Sequence, residues 1–478
     1  MHARALALCL AAAACSTPNS EPAPQPAAEA ALADAFAARR PEIDAILAAA
    51  LSEEEVYRSL ERLVQAAPAR LSGSPGYDRA VEWALAEMRV AGLANVAVEP
   101  CTAPHWERGA LERLSRVDAY GGEYAIVALG GSVGTPAGGI EAEVVRVANR
   151  TELARLGERA QGRFVFFDEP MDPTETDPFA AYGRAVWQRS RGAIEAARLG
   201  GVGAIVRSMT LRRDDHPHTG AMRYDTSVPF VPSVAISTLG AEDLARRLAA
   251  GESVRLRLEL DCRTLADAPS ANVVGELVGR ERPEEIVLVG AHLDAWDVGV
   301  GAHDDGAGCA QAIGAVRLLG ELGWTPRRTI RVVLFANEEN GLAGARAYAA
   351  DHAHELANHV LALESDRGGF APRGFDTDAE REGLEHLGAM AALLEPIGAE
   401  RVVVGGGGAD ISTLAPSGVP LVGLMPESAR YFDVHHAARD TLDQVSPREL
   451  QLGTAAMAAL LWLVADDPVP FPRNPPRE

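Results

Sequence analysis

The chain has no lysine, and its 45 strongly basic residues are all arginine, which reflects codon usage more than function. Against them stand 67 acidic residues, for a formal net charge of −22. A surface so acidic has no basic face to spare for phosphates, which excludes a nucleic-acid partner. Cysteine is scarce too. Of five, Cys9 and Cys15 lie in the leader, while Cys101, Cys262 and Cys309 form an odd, widely spaced set. That set excludes a disulfide framework and any Cys-x-x-Cys metal site. Beyond the leader no apolar run is long enough for a membrane span; even "AAMAALLWLVA" has only the length of a core helix. Stability must come from a core, and an apolar fraction of 47% can supply one.

A length of 478 residues exceeds one compact core, so two domains are expected. Residues 1–15 read as an export signal, and "AAAC" resembles a bacterial lipoprotein cleavage site, with alanine where leucine is usual. This places the protein in the bacterial cell envelope, lipid-anchored at Cys15, or in the periplasm or medium. Residues 16–41 read as a flexible Pro/Ala-rich tether. Residues 42–119 form the first part of the main domain, with a Ser-x-x-Glu capping box opening "SEEEVYRSLERLVQAA". Residues 120–264 change texture to short β-like runs broken by one helix, "AVWQRSRGAIEAARLGG", and read as a β-rich insert. Strand, loop and helix alternate again over residues 265–467, which implies a mainly parallel mixed α/β sheet flanked by helices. Residues 468–478 are a Pro-rich tail.

Open α/β sheets gather their chemistry beyond the carboxyl ends of strands. Four such places follow one another here. "GAHLDAWDVGVGAHDDGAG" follows "EEIVLVG" and carries His292, Asp294, Asp297, His303, Asp304 and Asp305. "NEEN", with Glu338 and Glu339, follows "TIRVVLFA"; Asp366 follows "HVLALE"; and "DVHHAARDT" brings His435, His436 and Asp440. Crowded carboxylates repel and lose hydration, so they need a positive partner. Imidazole and carboxylate without thiolate suit zinc or another divalent metal at a hydrolytic site. More than three carboxylates suggest two cations, although spacing alone does not number them, and Glu338 and Glu339 are interchangeable at this level. Solvated loop positions are the plain reading for Asp297 and His303, and packing for Trp296. His216 and His218 in "DDHPHTG" belong to the insert, where a loop or lid role fits better than a metal pair. "GGGGADISTL" lacks the G-K-[ST] of a phosphate loop and reads as a turn near Asp410 that lines a cleft.

Taken together, "GAHLDAWDVGVGAHDDGAG", "ANEENG", "ESDRGGF", "GGGGADI" and "HHAARDTL" resemble the di-zinc exopeptidases of the aminopeptidase S and bacterial leucyl aminopeptidase type. The carboxypeptidase Q branch is the best match, and "PHWERG" and "ALGGSVGTP" add to it. The resemblance covers roughly residues 45–465. It implies the zinc exopeptidase fold, with the insert as a protease-associated-like domain, and two Zn2+ per chain. Asp304 would bridge the metals, His292 and Asp366 completing one site and Glu339 and His436 the other. Glu338 would be the general base, and Asp294 would orient His292. A cis peptide between Asp304 and Asp305 is implied as well. Asp410, Tyr431 and His435 are candidate substrate contacts. The implied activity is hydrolysis of dipeptides or short peptides in the carboxypeptidase Q manner, with an aminopeptidase of the same family as the alternative. A non-catalytic receptor and a single-zinc glutaminyl cyclase share the fold but do not need this full set of residues. The resemblance also implies a homodimer.

Overall fold

A computed structural model describes residues 26–477 apart from 53, 119 and 120. The export signal and Cys15 therefore lie outside the described residues. Two eight-stranded sheets organise the chain. In spatial order, the first contains Ala94–Ala103, Ala268–Leu277, Arg328–Phe335, Arg282–His292, His359–Glu364, Leu421–Pro426, Pro372–Thr377 and Arg401–Val404. Its centre is parallel: Arg282–His292 runs alongside both Arg328–Phe335 and His359–Glu364, and the latter alongside Leu421–Pro426. The expected mixed α/β sheet is present.

The centres of these strands, such as Ile286–Ala291 and Val332–Phe335, are apolar because both faces are covered. Val287 and Val289 point into one cluster with the helices Ala307–Glu321 and Pro447–Ala465, while Leu288 points into another with Tyr348 and Ile411. Alternation along one strand thus serves two cores at once. "AAMAALLWLVA" is the buried heart of Pro447–Ala465. No helix among the described residues is long and apolar enough to cross a membrane.

Four sequence expectations need correction. The stretch 16–41 is not a tether throughout: Pro26–Ala37 is helical, and Phe36 is buried in the main core. Alanine-rich composition, read as flexibility, is equally the best helix-forming composition. Ser52 is no helix cap; its hydroxyl donates to the Ala49 carbonyl, closing the helix before, and Glu55–Ala66 starts without a side-chain cap. The insert begins earlier than residue 120, because Glu112–Arg116 already belongs to the second sheet, paired with Glu123–Tyr124 and Arg255–Leu260. The insert is also more than β-rich. Ile140–Val147, Phe164–Phe167, Gly203–Arg207 and Ser233–Ile236 form a parallel run packed against the helices Trp187–Arg198 and Thr238–Ala249.

The insert is docked, not dangling. Tyr431, Phe432 and Val434 of the main domain share a core cluster with Phe167, Ala181 and Trp187 of the insert. Phe179 stacks on Tyr431 at 5.3 Å between centroids, and Tyr182 on Phe432 at 4.7 Å. The Pro-rich tail packs too, through buried Phe471 and through Asn474, which hydrogen bonds Asp378 and the Glu380 amide.

Candidate metal centre

Parallel strands present their carboxyl ends side by side, so residues distant in sequence converge there. His292 is the last residue of its strand and pairs with Phe335, just before Glu338 and Glu339. Glu364 pairs with Gly290, and Asp366 follows it by two residues. The loop after Leu421–Pro426 swings His435 and His436 across from the other side. His436 adopts the left-handed backbone with φ 60°, as does Asn337 ahead of Glu338 with φ 68°. Such conformations are uncommon for non-glycine residues and cluster at functional sites.

Asp304 lies in the middle. Its Oδ1 is 3.3 Å from His292 Nε2, which is itself 3.3 Å from Asp366 Oδ1. Its Oδ2 is 3.3 Å from His436 Nε2, which is 3.0 Å from Glu339 Oε2. One carboxylate thus offers one oxygen to each of two clusters. His435 Nε2 stands further off, 3.9 Å from Asp304 Oδ2, its ring stacked 3.5 Å from that of His436. A void of about 10 Å3, lined by Asp304, Glu339, His436 and Trp296, sits against the second cluster. His435 does not line it, so Glu339 is the better third donor there.

The polar groups fit a cation. His292 Nε2 and Asp304 Oδ2 are buried without a hydrogen-bond partner, a costly state unless an ion meets them. Burial, together with Asp366, Asp294 and Asp304 nearby, pushes the Glu338 carboxyl up to about 8. Burial and the Asp304 charge raise Glu339 as well. Burial would also raise Asp304, but the imidazoles of His292 and His436 hold it below the usual carboxylate range. Burial takes the His435 imidazole down to about 3, so it is neutral. The Glu338 carboxyl makes no ion pair or side-chain hydrogen bond among the described residues, whereas Glu339 is held by His436 and the Trp296 amide. That contrast separates two neighbours that the sequence left interchangeable.

The supports differ in part from expectation. Asp294 orients His292 through its backbone carbonyl, 3.0 Å from Nδ1, and not through its carboxylate, which stands at 3.8 Å. The Asp294 carboxylate instead accepts the Glu338 amide at 3.0 Å. Asp297 is not a solvated loop group: Arg108 grips both its oxygens, at 3.0 Å from Nε and 2.6 Å from Nη2. His303 is fully buried, stacked on Phe370 at 4.2 Å. Close apolar and charged neighbours, contributed by distant segments, overrode the solvated reading in both cases. Trp296 packs edge-on against Trp106 and His436. The Asp304–Asp305 peptide is cis.

Tyr431 lies beside His435, with ring centroids 5.0 Å apart. Asp410 sits apart from these two, next to Glu364, with both its oxygens buried and unpartnered. His218 approaches the centre, its Nδ1 2.7 Å from the His435 carbonyl; His216 makes no such contact with that loop among the described residues.

Sequence reading named Asp440 without giving it a role and missed Arg70 altogether. Asp440 accepts the amides of His303 at 2.7 Å and Asp304 at 3.0 Å, so the last loop fixes the first. Arg70, fully buried, donates to the carbonyls of Leu293, Val300 and Gly301, tying both ends of the metal loop to the core. Nothing in "APARLSG" signals that role. Arg70→Met should leave these carbonyls without donors and cost roughly 3–6 kcal/mol of stability, read from urea unfolding of metal-free protein. A loss below about 1 kcal/mol would show that water replaces the guanidinium.

The profile of Peptidase family M28 matches residues 272–461. Carboxypeptidase Q from Bos taurus is 36% identical over 423 residues, covering 88% of each chain, and the Homo sapiens protein is 34% identical over the same share. The crystal structure of a Peptidase M28 precursor from Shewanella amazonensis superposes with a TM-score of 0.88 at 36% identity, over 92% of this chain and 100% of that one. A zinc aminopeptidase from Bacillus subtilis shares the fold, with a TM-score of 0.62 at 19% identity over 85% of this chain and 93% of that one.

Proposed function

Because the chain belongs to peptidase family M28 and is a metal-dependent peptide hydrolase, we propose that it cleaves dipeptides and short peptides at a centre of two zinc ions. The observation that supports this reading best is the placement of Asp304, one oxygen towards His292 and Asp366, the other towards His436 and Glu339. His292, Asp304 and Asp366 would hold one ion, and Asp304, Glu339 and His436 the other. When bound, zinc supplies positive charge that acidifies a water and polarises the scissile carbonyl. The chain does the rest. With the charge of bound cations favouring its ionised form, Glu338, free of side-chain partners, takes the proton from the attacking water on a carboxylate oxygen and later delivers it to the leaving amine. Its amide, held by Asp294, keeps that carboxyl beside the centre. His292 is fixed through Nδ1, which leaves Nε2 to face inward. Tyr431, His435 and the insert close over the reacting atoms and exclude water. The insert, in this reading, acts as a protease-associated-like domain.

The test has two parts. Elemental analysis of purified protein supplied with zinc should give two metals per chain. A peptide panel with free, amino-blocked and carboxyl-blocked termini should show cleavage of dipeptides with both ends free, and none after chelation. One metal per chain with full activity would refute the paired centre. Efficient cleavage of long carboxyl-blocked peptides would favour the aminopeptidase alternative.

A further inference from the structure

His218, in "DDHPHTG" of the insert, is only 3% exposed and lies against the loop that carries the candidate ligand His436. Its Nδ1 is 2.7 Å from the His435 carbonyl. A carbonyl only accepts, so Nδ1 carries the proton and Nε2 keeps a lone pair. That Nε2 is buried with no partner. An apolar side chain would fill the space without stranding a buried nitrogen, which leaves the bond to His435 as the reason for an imidazole here.

The next residue adds a second bond. The Thr219 amide donates to the His436 carbonyl at 2.9 Å, and His218 bridges Ala437 in antiparallel fashion. Peptide units are planar, so a held carbonyl fixes the whole unit. The Cα of His436 stands between two such units, one carrying the His435 carbonyl and one carrying its own. Both carbonyls are held by the insert. Together they set φ and ψ of His436, and with them the direction in which its imidazole leaves the chain. That backbone is left-handed, with φ 60°, a conformation that a non-glycine residue keeps only when its surroundings impose it. Gly220 lets the strap pass this close: with φ 126°, any Cβ there would stand 2.6 Å from His436 Nδ1.

The strap is itself anchored within the insert. The His218 amide donates to Ser208 Oγ at 2.9 Å, Thr219 Oγ1 donates to the Ala128 carbonyl at 2.7 Å, and Gly220 and Met222 pair with Gly130. Other candidate ligands take their support elsewhere. His292, Asp304 and Glu339 are held by Asp294, Asp440 and Trp296, all of the main domain.

We propose that the insert builds the second metal position, with His218 as the positioning residue that aims His436 at Asp304 and Glu339. The proposal rests on the two-metal reading above and adds a task for the insert besides covering the reacting atoms. Linkage makes the effect mutual: a strap that favours the ion is favoured by it.

The experiment uses the full chain and reads zinc affinity by competition with a chelating dye, without turnover. His218→Leu keeps bulk and loses the bond; it should weaken one of the two ions about 10–100-fold, as changes behind a ligand do, and leave the other unchanged. His218→Asn puts an amide nitrogen where Nδ1 stood and should restore most of that affinity. A packing role predicts the reverse order, because leucine is the better filler of a buried site. Hydrogen exchange of the unaltered protein reads the same coupling even if a variant fails to fold. Residues 217–222, none of them a candidate ligand, should exchange about 10-fold more slowly once zinc is added. Unchanged affinities in His218→Leu, a tighter ion in His218→Leu than in His218→Asn, or strap exchange indifferent to zinc would each overturn the proposal. Equal weakening of both ions would overturn it too, as the mark of general loosening. A single ion in the unaltered protein would sink the paired centre instead, and the order of affinities for that ion would still decide His218.

Discussion

Glu338→Gln should abolish peptide hydrolysis while the protein keeps its bound metal. The amide is isosteric but cannot accept the proton of the attacking water, and losing a general base typically costs 10²–10⁴-fold. The surroundings argue that little else would change. Glu338 has no side-chain partner to lose, and its backbone amide would still donate to Asp294 at 3.0 Å. Glu339, one residue on, is engaged with His436 at 3.0 Å, so Glu339→Gln should disturb metal content as well as rate. Comparing kcat with metals per chain in the two variants separates base from ligand. Near-normal kcat in Glu338→Gln at full metal occupancy would remove that residue from the mechanism. If Glu338→Gln lost metal and Glu339→Gln did not, the two roles would have to be exchanged.

Asp304→Asn should empty the weaker metal position first and take activity with it. The change keeps shape but removes the negative charge offered to both clusters, and an amide presents only one good ligand oxygen. Without the shared charge, two cations a few ångströms apart repel. The comparison is Asp297→Asn, seven residues earlier in the same loop. That side chain is clasped by Arg108, so its loss should weaken the docking of the insert and lower thermal stability without emptying the centre. Elemental analysis, a dipeptide assay and thermal unfolding of both variants decide the matter. Two retained metals and full activity in Asp304→Asn would show that the bridge lies elsewhere. Metal loss in Asp297→Asn alone would place it at that residue.

The sequence by itself determined which strand ends meet and which residues gather there. Runs such as "EEIVLVG" and "TIRVVLFA" have to be buried parallel strands, because residues apolar on both faces need cover on both sides. Chemistry-bearing residues that follow them must then meet at one edge. His292, Asp304, Glu339, Asp366 and His436 were legible for that reason, helped by the words in which they stand. Composition was a poorer guide at the edges of the fold: the alanine-rich stretch from Pro26 became helix, and the insert started before its β-like texture did.

Only tertiary structure decided which partner each charge would find. Hydrogen bonding through a carbonyl rather than a carboxylate, as Asp294 does to His292, leaves no trace in residue order. Nor does the clasp of Arg108 on Asp297, separated by 189 positions. Arg70 looks like an ordinary polar residue in the chain, and Asp440, though it stands beside the histidines, shows nothing there of the amides it holds. Their roles come from the pairing of distant surfaces, where a buried charge takes whatever partner the packing supplies.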